Sequence, residues 1–496
     1  MQPGRDRQLV TAAILLGSFL AAFEATAVAA AMPRAVGEMG GVERYSWVFS
    51  VYLLTSTTTM PLFGKLADLY GRRKVYHVSV VLFLLGSALS GMAGSMSQLI
   101  LFRAIQGLGA GGVNPLTITI AGDIYNLRER GRMQALFSSI WALSSLSGPL
   151  LGGWITDTLS WRWIFYLNIP FGVASSLILQ RFLREAKPRT KHRLDVLGTV
   201  SLTAAVTLLL LGLIEGPDVW GWRDARTLAL FAGSLVALGV FLWQEQRAEE
   251  PMLPLDLFRN RLIAVASAGN LLIGTFLYAL IAYVPIFAQG VLGGSALEVG
   301  MATMPILVGW PIASTLSGRL LMRTGYRMQA IGGGVLMVIG SFLLARAGPG
   351  TTRTEIMISM LITGLGLGFT SMPYLLGPQN AVPWERRGVA TSSVQFFRAI
   401  GGAVGVAALG ALFAARLKAV APEINPNTAF NQDLRAHATP ELLARLSGAL
   451  LHGLSGVYFV LAVLAAVSFF IALFFPGGTV TSHMHQQDDG VFPAGH

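Results

Sequence analysis

The chain is a succession of apolar runs, each about 20 residues long, separated by short breaks rich in charge, glycine or proline. That pattern excludes most folds. A run of this length crosses the hydrocarbon of a bilayer as one helix, whereas a water-soluble domain needs a polar face on nearly every element. With 53% hydrophobic and 12% charged residues, and a mean hydropathy of +0.60, the polar residues are too few to supply such faces. Spans are expected near 9–32, 46–67, 75–95, 97–122, 134–156, 162–183, 195–214 and 226–245. Six more are expected near 262–289, 297–321, 326–346, 354–378, 389–415 and 448–475. The fold class is therefore an all-α integral membrane protein with fourteen spans, an even number that puts both termini on one side.

Basic residues say which side. With the N-terminus cytoplasmic, inside segments hold about 23 of the 36 Lys and Arg, including Arg72, Arg73, Lys74, Arg128, Arg130, Arg132, Arg184, Lys187, Arg189, Lys191 and Arg193. The outside holds about 11, several of them near the one long outer loop, 416–447. Both termini are thus expected in the cytoplasm, and the net charge of +11 needs no polyanionic partner such as nucleic acid. The first span has small residues at Ala27–Ala31 that suit a signal-peptidase site. Its length, its Glu24 and the short loop after it favour an uncleaved anchor.

Two halves of the sequence repeat. "GKLADLYGRRKV" (64–75) and "GRLLMRTGYRMQ" (318–329) share a Gly-x6-Gly spacing followed by basic residues, offset by 254 residues. "GLGAGG" through "RERG" (107–131) matches "GLGLGF" through "ERRG" (364–388) at an offset of 257. Offsets this similar indicate duplication of one long unit. Six spans leave roughly 70 residues of the offset unexplained, which a two-span hairpin fills. The expected organisation is a six-helix half (1–189), an inserted hairpin (190–255), a second six-helix half (256–480) and a tail (481–496).

The segment Gly64-Lys65-Leu66-Ala67-Asp68-Leu69-Tyr70-Gly71-Arg72-Arg73-Lys74 resembles the signature loop of the major facilitator superfamily at every defining position. Parallel six-helix repeats with a cavity near the midplane are that family's architecture. In such a loop the glycines permit a tight turn and close helix approach, Asp68 can sit near a helix N-terminus, and the arginines can reach Asp123 at the end of the fourth span. In the echo, Met322 replaces Asp68, so a latch that breaks on switching is expected to be stronger in the N-terminal half. The fourth span, "LILFRAIQGLGAGGVNP", resembles the family's second motif: Arg103 should face the protein interior with a partner, and Gly107, Gly109, Gly111 and Gly112 should give a flat packing surface.

"SGPLLGGWITD" in the fifth span matches the core of the motif associated with antiporters, through Gly148, Pro149, Gly152 and Gly153. The proline frees a backbone carbonyl and bends the helix, and the glycines let a neighbour close against it. "WRWIFYLNIPFG" (161–172) is typical of the fourteen-helix drug:proton antiporter branch. The first span, "FLAAFEATAVAAAMP", is similar to that branch's Leu-Asp-x-Thr motif with Glu24 in place of the aspartate, one methylene longer and still titratable.

Depth is a separate guide. At 1.5 Å per residue, Glu24 lies about 12 Å from the outer end of its span and Arg103 about 9 Å from that of the fourth. A nearby cation favours a charged carboxyl and burial favours a neutral one, so a change in their separation or hydration would change proton affinity. A permanent ion pair is the alternative. The resemblance implies a proton-coupled antiporter that exports hydrophobic, often cationic compounds by alternating access, with Glu24 and Arg103 as the proton site. The substrate cavity is expected to draw on Phe23, Thr26, Gln106, Asn114, Gln395, Phe396 and Arg398, the last a second intramembrane arginine. Rival readings are an exporter dedicated to one lipid or natural product, an import symporter, and a membrane sensor or scaffold.

Other chemistries find little support. There is no phosphate-binding Gly-rich Lys-Ser/Thr loop, so the energy source is expected to be the proton gradient, without a cofactor. Cysteine is absent and the seven histidines are scattered, so neither a disulfide framework nor a metal site is expected, and no enzymatic activity. The expected location is the cell membrane.

Overall fold

The computed structural model describes residues 4–125, 127–183, 195–216, 220–249, 251–348, 350–383, 386–420, 430 and 432–476. Among them there is no strand. The helices are α1 (Arg5–Met39), α2 (Tyr45–Tyr70), α3 (Arg72–Gly91), α4 (Met96–Ile124), α5 (Leu127–Thr158), α6 (Arg162–Tyr166) and α7 (Asn168–Phe182). There follow α8 (Val196–Glu215), α9 (Ala225–Glu245), α10 (Arg261–Ile286), α11 (Ala296–Ala345), α12 (Arg353–Asn380), α13 (Arg387–Val420), α14 (Gln432–His437) and α15 (Pro440–Leu473). Helix is the form that satisfies every backbone group within one apolar segment. Prolines inside α1, α4, α5, α10, α11 and α12 are accommodated without ending the helix.

Every expected span coincides with helix, but eleven helices among the described residues are long and apolar enough to cross a membrane, so the count of fourteen is not reached by that measure. The helices also overrun the apolar runs. α13 continues to Val420 and α15 begins at Pro440, with α14 between them, so the expected outer loop 416–447 is partly helical. The reason is that "AARLKAV" is rich in good helix formers, and propagation of a formed helix costs little. Residues 421–429 and the tail 481–496 lie outside the described residues, as do Arg184, Lys187, Arg189, Lys191 and Arg193.

The duplication is visible in the backbone. Gly71 separates α2 from α3 with φ 93°, and Gly325, at the equivalent place in the repeat, interrupts α11 with φ 76°. Only glycine takes such angles without a Cβ penalty, so the second glycine of each Gly-x6-Gly pair makes the turn. Gly64 has a different standing from the one its motif suggests: a Cβ there would meet nothing within 4 Å, so it is not a close-approach residue.

The chain forms two compact units. The first holds residues 1–252 with 280–304 and 406–454, so one end of the C-terminal helices packs with the N-terminal helices. Within it α1 lies against α4, α5 and α7, α4 against α2 and α3, and the inserted α8 and α9 against each other. The second unit holds 253–279, 305–405 and 455–496.

The α4 glycines set the spacing of the first unit. Gly107 and Gly111 face α2, where a Cβ would strike Tyr52, Thr55, Ser56 and Thr59, while Gly109 and Gly112 face α3 at Ser79 and Phe83. In the second unit Gly364 and Gly368 face the first part of α11 at Ile306 and Trp310, and Gly366 faces its second part at Gly333 and Met337. The same alternation in both units gives the repeated sequence its physical reason: one helix is gripped from two sides by backbones that a side chain would push apart.

Candidate functional site

Glu24 lies in the middle of α1 with none of its surface exposed, and Arg103 on α4 is 2% exposed. The two form an ion pair between Arg103 Nη1 and Glu24 Oε1. Arg103 Nη1 also donates to Gln106 Oε1 at 2.8 Å, one helical turn along, and Nε donates to the Val48 carbonyl at 3.4 Å. Its guanidinium carbon sits 4.1 Å from the centroid of the Tyr52 ring, a cation–π arrangement.

The other carboxylate oxygen has its own donor. Asn168, the first residue of α7, gives its Nδ2–H2 group to Glu24 Oε2 at 2.6 Å and to Ser87 Oγ at 2.9 Å, and Ser87 in turn donates to the Phe165 carbonyl at 2.8 Å. Five helices thus converge on one carboxylate: α1, α4, α7, α3 through Ser87 and α2 through Tyr52. Two buried polar atoms at its edge, Gln106 Nε2 and Asn168 Oδ1, have no partner among the described residues. The cluster therefore has hydrogen-bonding capacity in reserve, an acceptor beside the acid and a donor beside the arginine. A carboxyl that gains a proton gains a donor, and Asn168 can meet it by turning its amide.

The sequence indicates the Glu24–Arg103 pair from depth and motif. It does not indicate Asn168, because an asparagine inside "WRWIFYLNIPFG" signals nothing until α7 is placed against α1. A polar amide in an apolar segment was the available signal.

Immediately beside Glu24, α1 meets α5. Thr26 Oγ1 lies 3.3 Å from the Ser144 carbonyl, a Cβ at Gly148 would come within 3.0 Å of Thr26 Cβ, and one at Gly152 within 2.9 Å of the Ala27 carbonyl. Further along α5 the neighbours change. A Cβ at Gly153 would come within 2.5 Å of the Ala296 carbonyl, and Gly300 of α11 abuts the Pro149 carbonyl. Asp157 then accepts from the Ala296 and Leu297 N–H groups at 3.0 and 2.8 Å, capping the start of α11. Asp157 lies near the end of its span, where sequence assigns it no role.

At the opposite end of α4, Arg72 pairs with Asp123, and Arg73 Nη1 donates to the Gln180 carbonyl at 3.2 Å. Both members of the Arg72–Asp123 pair are about a third exposed (32% and 39%), so the pair is worth a fraction of a buried one. Gly71 supplies the turn from α2 into α3 that starts at Arg72. The side chains of Asp68 and Met322 lie outside the described residues.

The remaining expected cavity residues divide between the units. Phe23 is buried and stacks on Phe19 at 5.7 Å, Gln106 is fully buried in the cluster, and the Asn114 carbonyl accepts from Thr117 at 2.7 Å. Gln395, Phe396 and Arg398 belong to the second unit, where Phe396 packs edge-on to Phe397 at 5.8 Å. Among the described residues no group of His, Cys, Asp and Glu is arranged to hold a metal.

Among the described residues, helices long and apolar enough to cross a membrane surround a buried Glu24–Arg103 pair, which fits the class of polytopic membrane proteins, and comparison gives the family. Residues 14–406 match the Major Facilitator Superfamily. Multidrug transporter protein MdtP of Bacillus subtilis (strain 168) is 37% identical over 410 residues, covering 83% of this chain and 76% of that protein. Multidrug resistance protein 3 of the same strain is 34% identical, with 81% and 79% covered. The efflux pump FUS6 of Gibberella moniliformis (strain M3125 / FGSC 7600) is 30% identical, with 97% and 89% covered. Among solved structures, a bacterial homolog of the human lysosomal transporter Spinster, inward-facing and unoccupied, aligns with a TM-score of 0.67 over 96% of this chain and 98% of that one. At 16% identity that likeness concerns the fold. The chain belongs to the Major Facilitator Superfamily and is a multi-pass membrane transporter.

Proposed function

We propose that this transporter is a proton-coupled antiporter of the cell membrane that exports hydrophobic, often cationic compounds from the cytoplasm by alternating access. The observation that carries the reading is the Glu24–Arg103–Asn168 cluster: a titratable carboxyl, wholly buried, held by donors from separate helices. Such a group is costly in hydrocarbon and is retained for what it does. The relatives named as multidrug transporters support the substrate class.

The cycle follows from the contacts. With both termini in the cytoplasm, the Asp157 end faces outward, and the contacts of Gly153, Pro149 and Asp157 with α11 hold that end shut. In this state Glu24 is ion-paired and Arg103 neutralised. A proton arriving from outside, once that end opens, would break the pair and leave Asn168 to accept the new O–H. Releasing it to the cytoplasm restores the pair as substrate enters from that side, to be carried outward at the next switch. Antiport needs only that proton and substrate favour opposite conformations. The halves 1–189 and 256–480 would be the rocking bodies, with 190–255 an added hairpin.

The test is transport of a lipophilic cation into inside-out proteoliposomes with an imposed pH gradient. Accumulation that follows the gradient and collapses with a protonophore is expected. Uptake indifferent to the gradient would exclude proton coupling.

A further inference from the structure

Among the described residues the second intramembrane arginine has no counter-charge. Arg398 stands about 16 Å from the first residue of α13 at 1.5 Å per residue, well inside the helix. Its guanidinium lies 5.9 Å from the centroid of Trp310 on α11. Among the described residues it has no ion-pair partner and no hydrogen-bond acceptor. The sequence of its unit offers none within a span either. The only acids there are Asp256, Glu355, Glu385, Asp488 and Asp489. Asp256 is engaged by Arg386 at 2.6 Å and Glu355 closes the capping box of α12. Glu385 falls between two spans, and Asp488 and Asp489 fall in the tail, outside the described residues.

The contrast with Arg103 decides the matter. That arginine is neutralised by Glu24 and bonded to Gln106 and Val48. Arg398 is held just as firmly by its backbone, since Gly274 lets α10 close directly on the Arg398 carbonyl, but its charge is unmet and partly exposed. The ring beside it is held in place: Trp310 donates to Ser371 Oγ at 3.0 Å, which fixes the indole plane. A permanent cation in hydrocarbon demands a partner, and this frame accepts one that is anionic at one end and apolar elsewhere.

We propose that Arg398 is the recognition point for an anionic group, a carboxylate, sulfonate or phosphate, carried on a lipophilic body. This rests on the transport reading and extends it: the substrates include amphiphilic acids, because Glu24, the carboxylate that would attract cations, is already paired. The same chemistry has two sources, a transported acid and the headgroup of an anionic lipid.

The test is equilibrium binding to the full chain in phosphatidylcholine vesicles, read by energy transfer from tryptophan to dansyl-aminoundecanoic acid, its methyl ester and a quaternary ammonium analogue of equal length. The acid should bind wild type about tenfold or more tightly than the ester. Arg398→Gln should abolish that preference, Arg398→Lys should restore part of it, and the ammonium analogue should bind all three proteins alike, showing that they are folded. If added phosphatidylglycerol leaves the acid's advantage intact, the site serves a solute; if it erases it in wild type alone, the site holds a headgroup. Equal binding of acid and ester by wild type, or equal weakening of acid and ammonium by Arg398→Gln, overturns the proposal. Binding is read without a gradient, so a failure of proton coupling does not mask the result.

Discussion

At the scale of the residue, the account rests on a buried carboxyl whose two oxygens are held from different helices. Removing one partner of a buried pair strands the other, which costs about 3–5 kcal/mol. Glu24→Ala should therefore lower thermal stability in detergent markedly, while Glu24→Gln, which keeps an acceptor for Arg103 and a group for Asn168, should lower it less. A melting curve on each variant checks the order. Asn168 has a sharper expectation. It is the donor to Glu24 Oε2, so Asn168→Ala should slow gradient-driven accumulation far more than it slows substrate exchange at equal pH. A purely structural asparagine would slow both alike.

At the scale of the element, α5 is the physical link between the helix that carries Glu24 and the start of α11. Its Gly148 and Gly152 lie on Thr26 and Ala27, two and three residues from Glu24, and its Gly153 and Asp157 lie on the start of α11. A side chain at Gly148 overpacks the first contact, so Gly148→Val should cost about 1–3 kcal/mol of stability and slow transport, read by melting and by initial rate. Asp157→Ala removes the cap of α11, a loss of about 1 kcal/mol from the closed state alone. The chain has no cysteine, so Ala296→Cys can be introduced singly. Maleimide labelling at 296, buried in this state, should be faster when Asp157→Ala is added. Much of this element was legible in the sequence: the glycine spacing indicated close packing. Which helix each glycine meets was not, because a glycine records only that something approaches, and Gly64, with nothing near it, shows that it need not.

At the scale of the whole molecule, the repeat is the most legible feature, since Gly71 with Gly325 and the glycines of α4 with those of α12 perform the same tasks 254 to 257 residues apart. The apolar runs located the helices and left their ends uncertain, because hydropathy marks what touches lipid while the helix continues into its polar turns. The pairing of Glu24 with Arg103 was legible because charge at membrane depth demands a partner. Asn168 was not, because uncharged amides make no such demand. The central claim is that the proton of the antiport cycle is carried by Glu24. Substrate exchange across a proteoliposome with equal pH on both sides needs no net proton movement, whereas accumulation against a concentration gradient does. The direct measurement compares both in wild type and Glu24→Gln: the account predicts that the variant keeps exchange and loses gradient-driven accumulation, and accumulation at the wild-type level in Glu24→Gln would contradict it.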